Sequence, residues 1–256
     1  MTIKGWTIQE FRPNLWMIQV GLEGFDVRSA LIVGRERAVV WDTLSHPRDM
    51  RPIASLAPDR ELVVVYSHAD WDHIWGTAGL PHQRKLIIGH THCRARFDAD
   101  VPTKLQEMQT AQPETWDAVK LVAPNLTFSN ELSLDLGAVT LNLHHLPGHT
   151  HDSIVGFIPE QGILLAGDAV ETPLPVTDRD SPLGPWIAEL ERWERDPRLQ
   201  TVIPAHGGVG GRDILRRNVA YLQSLRDGGT IELPETLDEY YCQTHEANLR
   251  YWRGSV

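Results

Sequence analysis

Ser67-His68-Ala69-Asp70-Trp71-Asp72-His73 places four side chains of metal-ligand type, His68, Asp70, Asp72 and His73, within six residues. Leu62–Tyr66, directly before it, is apolar at every position, the pattern of a strand buried on both faces. Ile74–Leu80 reads as a helix start. Ligands on the rigid end of a buried strand have their geometry fixed by the sheet while the loop points outward. One histidine in such a place is ordinarily a packed or surface residue; four ligand-type side chains at this density point to chemistry.

Upstream, short β-rich runs at Leu15–Val20, Ala30–Val33 and Ala38–Trp41 are separated by Gly, Pro or charged turns, and Arg48–Pro58 reads as a connecting helix. Downstream, Leu86–Gly89 is a further strand, and Thr91 to Lys120 is helical in parts with breaks expected at Pro102 and Pro113. Strands recur at Thr127–Ser129, Glu131–Leu136, Val139–His145, Ile154–Ile158, Ile163–Ala166 and Thr201–Pro204. Val139, Leu141 and Leu143 alternate with Thr140, Asn142 and His144, which gives a sheet with one buried face. The C-terminal quarter turns helical at Trp186–Arg195 and at Asp213–Arg226, which ends at Gly228-Gly229. Strands followed by helices, twice over, predict two packed sheets with helices outside them, in one domain over residues 1–256. Pro173–Pro185 reads as a loop able to act as a lid.

Three further short motifs follow in order, each at a strand end: Pro147-Gly148-His149-Thr150, Ala166-Gly167-Asp168-Ala169 and Pro204-Ala205-His206-Gly207. Gly-His and Gly-Asp alone are ordinary turn dipeptides. Their order and their placement at strand ends, together with the first motif, mark a metal site.

This series resembles the metallo-β-lactamase superfamily, with its HxHxDH, Gly-His, bridging Asp and late His. The resemblance runs from Asp42, which matches an early buried Asp after a strand, through His206. It implies an αββα sandwich of the α/β class, in which His68, Asp70 and His149 hold one metal, Asp72, His73 and His206 hold a second, and Asp168 bridges them. Asp70 departs from the pattern, standing where most members have the second histidine. A carboxylate there resembles the flavodiiron branch, which has Glu at that point, and an oxygen-richer donor set favours iron or manganese over zinc. Zinc, iron and manganese all stay open. Two divalent ions against Asp70, Asp72, Asp168 and one hydroxide sum to near neutrality, so Asp70 is expected to balance the second metal.

The expected activity is hydrolysis of an ester, lactone, thioester or phosphoester of a small molecule, with Asp72 and Asp168 positioning the metals and His151 protonating the leaving group. His90 and His92 are further acid candidates, and His145 is expected to pack behind the site. His46, His82 and His245 read as surface residues. Trp71, Trp75 and Trp186 are candidates for an apolar substrate wall, or for core, and Trp193 reads as core. A di-iron oxidoreductase related to the flavodiiron metal domain and a non-catalytic binding module are the alternative readings.

The formal charge of −10 over 256 residues argues against nucleic acid as a partner, since phosphate binding needs clustered Lys and Arg. No apolar run approaches the length of a membrane span, and Met1 to Phe11 lacks the pattern of a signal peptide. Two cysteines, Cys93 and Cys242, are too few for a disulfide framework. A cytoplasmic protein is therefore expected, its state as monomer or homodimer left open.

Overall fold

The computed structural model describes residues 5–57, 60–81 and 86–254. Twelve strands among them form two sheets. The first has seven strands in sequential order: β1 (Trp6–Arg12), β2 (Leu15–Gly21), β3 (Asp26–Val33), β4 (Arg37–Trp41), β5 (Glu61–Val65), β6 (Leu86–His90) and β7 (Leu126–Phe128). Pairing is antiparallel from β1 to β4 and parallel from β4 to β7. The second sheet runs β12 (Thr201–Pro204), β11 (Ile163–Gly167), β10 (Ile154–Ile158), β9 (Thr140–His145) and β8 (Glu131–Asp135), parallel only between β11 and β12.

Period-2 alternation sorts these strands into layers. Along β4 and β5, Ala38, Val40, Leu62 and Val64 face the outer helices of the first sheet, while Val39, Trp41, Val63 and Val65 face the second sheet. Along β10 and β11, Ile154, Ile158, Ile163 and Leu165 meet them from the other side, and Val155, Phe157, Leu164 and Ala166 pack outward against the C-terminal helices. Three apolar layers between four structural layers are the αββα sandwich expected from the sequence.

Several local expectations are corrected. Arg48–Pro58 is not one helix over its described residues, 48–57, Pro58 lying outside them; Pro52 separates a short 3-10 turn, Pro47–Met50, from one helical turn at Ile53–Leu56. Pro102 breaks nothing, because it sits in the first turn of helix Asp100–Ala111, where its missing N–H is unused. Pro113 opens the next short helix, Pro113–Trp116. Helix Leu183–Arg195 begins before Trp186 and carries Pro185 in its first turn. Strand β1 and helix Glu239–Arg253, capped by the Asp238 side chain, were not anticipated. No helix among the described residues is long and apolar enough to cross a membrane.

Candidate metal centre

Four strand ends deliver the site. The loop after β5 carries His68, Asp70, Asp72 and His73; the turns after β9, β11 and β12 carry His149, Asp168 and His206. The two sheets meet here because Gly167, with φ +53, lets the end of β11 approach β5: a Cβ on Gly167 would stand 2.9 Å from that of Ser67.

Two groups of donors converge, His68 with His149 and Asp168, and Asp72 with His73 and His206; within each, the donor atoms lie within 4.8 Å of one another. Asp168 reaches both. Its Oδ1 is 3.3 Å from His73 Nε2, and its Oδ2 is 3.6 Å from His68 Nε2 and 3.2 Å from His206 Nε2. Asp70 Oδ2 lies 3.4 Å from His68 Nε2 and 3.2 Å from His149 Nε2. Asp72 places its oxygens 3.7 Å from His73 Nε2 and 3.6 Å from His206 Nε2. All seven positions named from the sequence are therefore brought together.

The second nitrogen of every imidazole is tied down. His73 Nδ1–H donates to Asp42 Oδ2 at 3.0 Å, and His68 Nδ1–H to Ser67 Oγ at 3.0 Å, whose own hydroxyl donates to Asp42 at 2.7 Å. His149 Nδ1–H donates to the Val176 carbonyl at 3.0 Å, and His206 Nδ1–H to the Asp26 carbonyl. These partners fix the tautomer and aim all four Nε2 atoms at one space, as imidazole ligands of metals are ordinarily held. His68 Nε2, His73 Nε2 and Asp168 Oδ1 are buried without a hydrogen-bond partner among the described residues. Buried polar atoms of this kind need a partner. Nitrogen and carboxylate donors in two groups joined by one carboxylate fit a pair of divalent cations.

The electrostatics agree. Burial opposes ionisation of Asp168, but the imidazoles of His206, His73 and His68 outweigh it and hold the carboxyl well below its usual range. His68 and His149 do the same for Asp70. Burial likewise opposes protonation of His149 and His206, yet Asp70 and Asp168 push His149 up to about 10, and Asp168 with Glu171 pushes His206 up to about 10. The carboxylates of the site thus draw protons onto the imidazoles, which bound cations would displace.

Other expected roles change. His151 is exposed, no hydrogen bond among the described residues holds its ring, and its carbonyl accepts from His145 Nε2–H at 2.9 Å. His90 is no acid: its Nε2–H donates to the Ser129 carbonyl, its Nδ1 accepts from His92 N–H, and burial lowers it to about 4. His145 stacks on it, ring centroids 3.9 Å apart. His46 is buried and caps the turn at Pro47, and His245 is half-buried against the Tyr221 hydroxyl, so neither is a surface residue; His82 lies outside the described residues. Trp75 and Trp186 are core, and of the expected wall only Trp71 is part-exposed, lining a cavity of about 520 Å³ beside Asp70. Pro173–Pro185 is a strap rather than a lid. Asn248 holds Pro175 and Thr177, Ser181 Oγ donates to the His149 carbonyl, and Leu174, Pro175 and Thr177 are buried.

The αββα fold and its paired donor groups define a metal-binding hydrolase scaffold. A family model described as the metallo-β-lactamase superfamily matches residues 22–206, and the chain belongs to that superfamily. Curated relatives named acyl-coenzyme A thioesterase MBLAC2 are 27% identical over 177 residues in Gallus gallus and 26% over 180 residues in Homo sapiens. Each match covers 62% of this chain and 58% of the relative, so the chain spans little more than half the length of these relatives. Among solved structures, the sec-alkylsulfatase Pisa1 from Pseudomonas sp. superposes with a TM-score of 0.72 at 18% identity, covering 98% of this chain and 51% of that one. The metallo-β-lactamase FIM-1 from Pseudomonas aeruginosa does so with 0.66 at 20% identity, covering 86% and 95%. At these identities the likeness speaks for the fold.

Proposed function

We propose that this protein is a binuclear metal-dependent hydrolase acting on an ester or thioester bond of a small molecule. His68, Asp70 and His149 would hold one ion, Asp72, His73 and His206 the other, and Asp168 would span both. The convergence of four Nε2 atoms whose Nδ1–H groups are all tied to acceptors carries this reading. Curated relatives with a thioesterase name support the thioester in particular.

Bound divalent ions supply an activated water near neutral pH and polarise the scissile carbonyl. The residues of the chain do the rest. Asp168 faces His73 with Oδ1 and both His68 and His206 with Oδ2, and so joins the two donor groups. Asp42 and Ser67 hold His68 and His73 from behind. His151, at the rim of a cavity of about 340 Å³ that also meets His149, is the proposed proton donor to the leaving group. Zinc, manganese and iron are the candidate ions. We also infer one domain over residues 1–256 and a cytoplasmic setting, in keeping with the free thiols Cys93 and Cys242.

Elemental analysis of protein purified without chelator, paired with ester, lactone, thioester and phosphoester substrates, tests the proposal. Two equivalents of metal with ester or thioester turnover are expected. One equivalent or none, or turnover confined to phosphoesters, overturns it.

A further inference from the structure

Arg96 ends the short helix Thr91–Arg96 that follows β6, and its guanidinium is shared among three carboxylates. One nitrogen, Nη2, lies 2.8 Å from Asp70 Oδ1 and donates to Asp100 Oδ2 at 2.8 Å; Nη1 donates to Asp152 Oδ1 at 3.2 Å. Asp152 is itself fixed, because its Oδ2 accepts from the Ala69 N–H at 2.8 Å and only 1% of its surface is exposed. The guanidinium is thus anchored to the backbone of the loop that carries Asp70.

This pairing divides the Asp70 carboxylate in two. Oδ1 belongs to Arg96, and Oδ2 alone faces His68 and His149. An imidazole at this position would be neutral and would offer a single donor atom. Asp70 paired with Arg96 matches the single donor atom, since one oxygen remains toward the site, while the guanidinium, shared also with Asp100 and Asp152, offsets part of the carboxylate charge.

We propose that Arg96 is a positioning residue which turns Asp70 into a single-oxygen donor for the first metal; this rests on the binuclear reading above. The two residues then form one unit, and either change alone harms the site. Asp70→His alone sets an imidazole against a guanidinium; Arg96→Met alone leaves Asp70 free to rotate and uncompensated.

Chelator competition with zinc, measured on the metal-free full-length protein, tests this in a double-mutant cycle of Asp70→His and Arg96→Met. Arg96→Met is expected to weaken one of two zinc sites by about 10- to 100-fold, as loss of an orienting partner does elsewhere. The double variant is expected to recover about tenfold or more of that loss, a coupling that a purely structural role does not produce. Thermal unfolding of each metal-free variant reports on the fold. Should Arg96→Met not fold, Arg96→Lys keeps the charge without spanning three carboxylates, and its affinity is expected to fall by about tenfold. Unchanged zinc affinity in the Arg96 variant, or a double variant no better than Arg96→Met, overturns the proposal. A wild-type protein that binds at most one zinc overturns the binuclear reading instead, and the role of Arg96 falls with it.

Discussion

Asp42 Oδ2 and His73 Nδ1 stand 3.0 Å apart, both residues wholly buried, one at the end of β4 and the other in the loop after β5. Asp42 takes a left-handed backbone conformation, φ 58, which swings its carboxylate under the neighbouring strand, where it accepts the Ser67 N–H at 2.7 Å. One residue thus serves the sheet junction and the orientation of two imidazoles. Asp42→Ala is expected to weaken metal binding by about 10- to 100-fold and to lower stability by about 2–4 kcal/mol through unpaired buried donors. Chelator competition and urea unfolding measure the two effects separately.

Asp70→Ala should reduce bound metal from two equivalents to one, read by elemental analysis after gel filtration. Full retention of both ions would show that Asp70 Oδ2, for all its closeness to His68 and His149, is not a ligand.

Metal uptake should release protons. With His149 and His206 both pushed up to about 10 by neighbouring carboxylates, the metal-free protein at pH 8 holds protons that the ions displace. These histidines stabilise the metal-free fold fully below their unfolded value of about 6.5, and the contribution is lost as pH rises through about 10. The melting temperature of the metal-free protein should therefore fall across that window. Against the effect of burial, His73 is likewise held well above its usual value by Asp168, Asp72 and Asp42, so calorimetric titration in buffers of different ionisation heat should show about three protons released per protein at pH 8.

His90 has the opposite sign. Burial lowers it to about 4, so the unfolded chain binds its proton first as pH falls below about 6.5. Stability is present above that value and is lost as pH falls toward 4. His90→Gln, which cannot charge, should flatten this acid slope by about 1–3 kcal/mol; unfolding of the metal-free proteins at pH 7 and pH 4.5 checks it.

Asn248 ties the last helix to the strap through Pro175 O and Thr177 and to helix Arg212–Asp227 through the Tyr221 hydroxyl, and it is wholly buried. Asn248→Ala should cost about 2–4 kcal/mol in denaturant unfolding, since several partners lose their bond at once. Because Val176 on the same strap holds His149, the variant should also bind metal more weakly.

The seven ligand-type positions were legible in the sequence because short motifs at strand ends keep chemistry and local structure together: Leu62–Tyr66 announces its burial, and the histidines and aspartates follow within a few residues. The sandwich was legible for the same reason, through period-2 runs such as Val139–His145. β1 escaped notice because it is an edge strand with mostly exposed side chains, and helix Glu239–Arg253 because among its described side chains only Tyr241 and Asn248 are buried. What only the tertiary structure decided are partners far apart in the chain. Asp26 and Val176 contribute backbone carbonyls, which carry no residue code. Arg96 stands outside every motif of the sequence, and only the packing of its helix against the metal-binding loop turns that guanidinium onto Asp70.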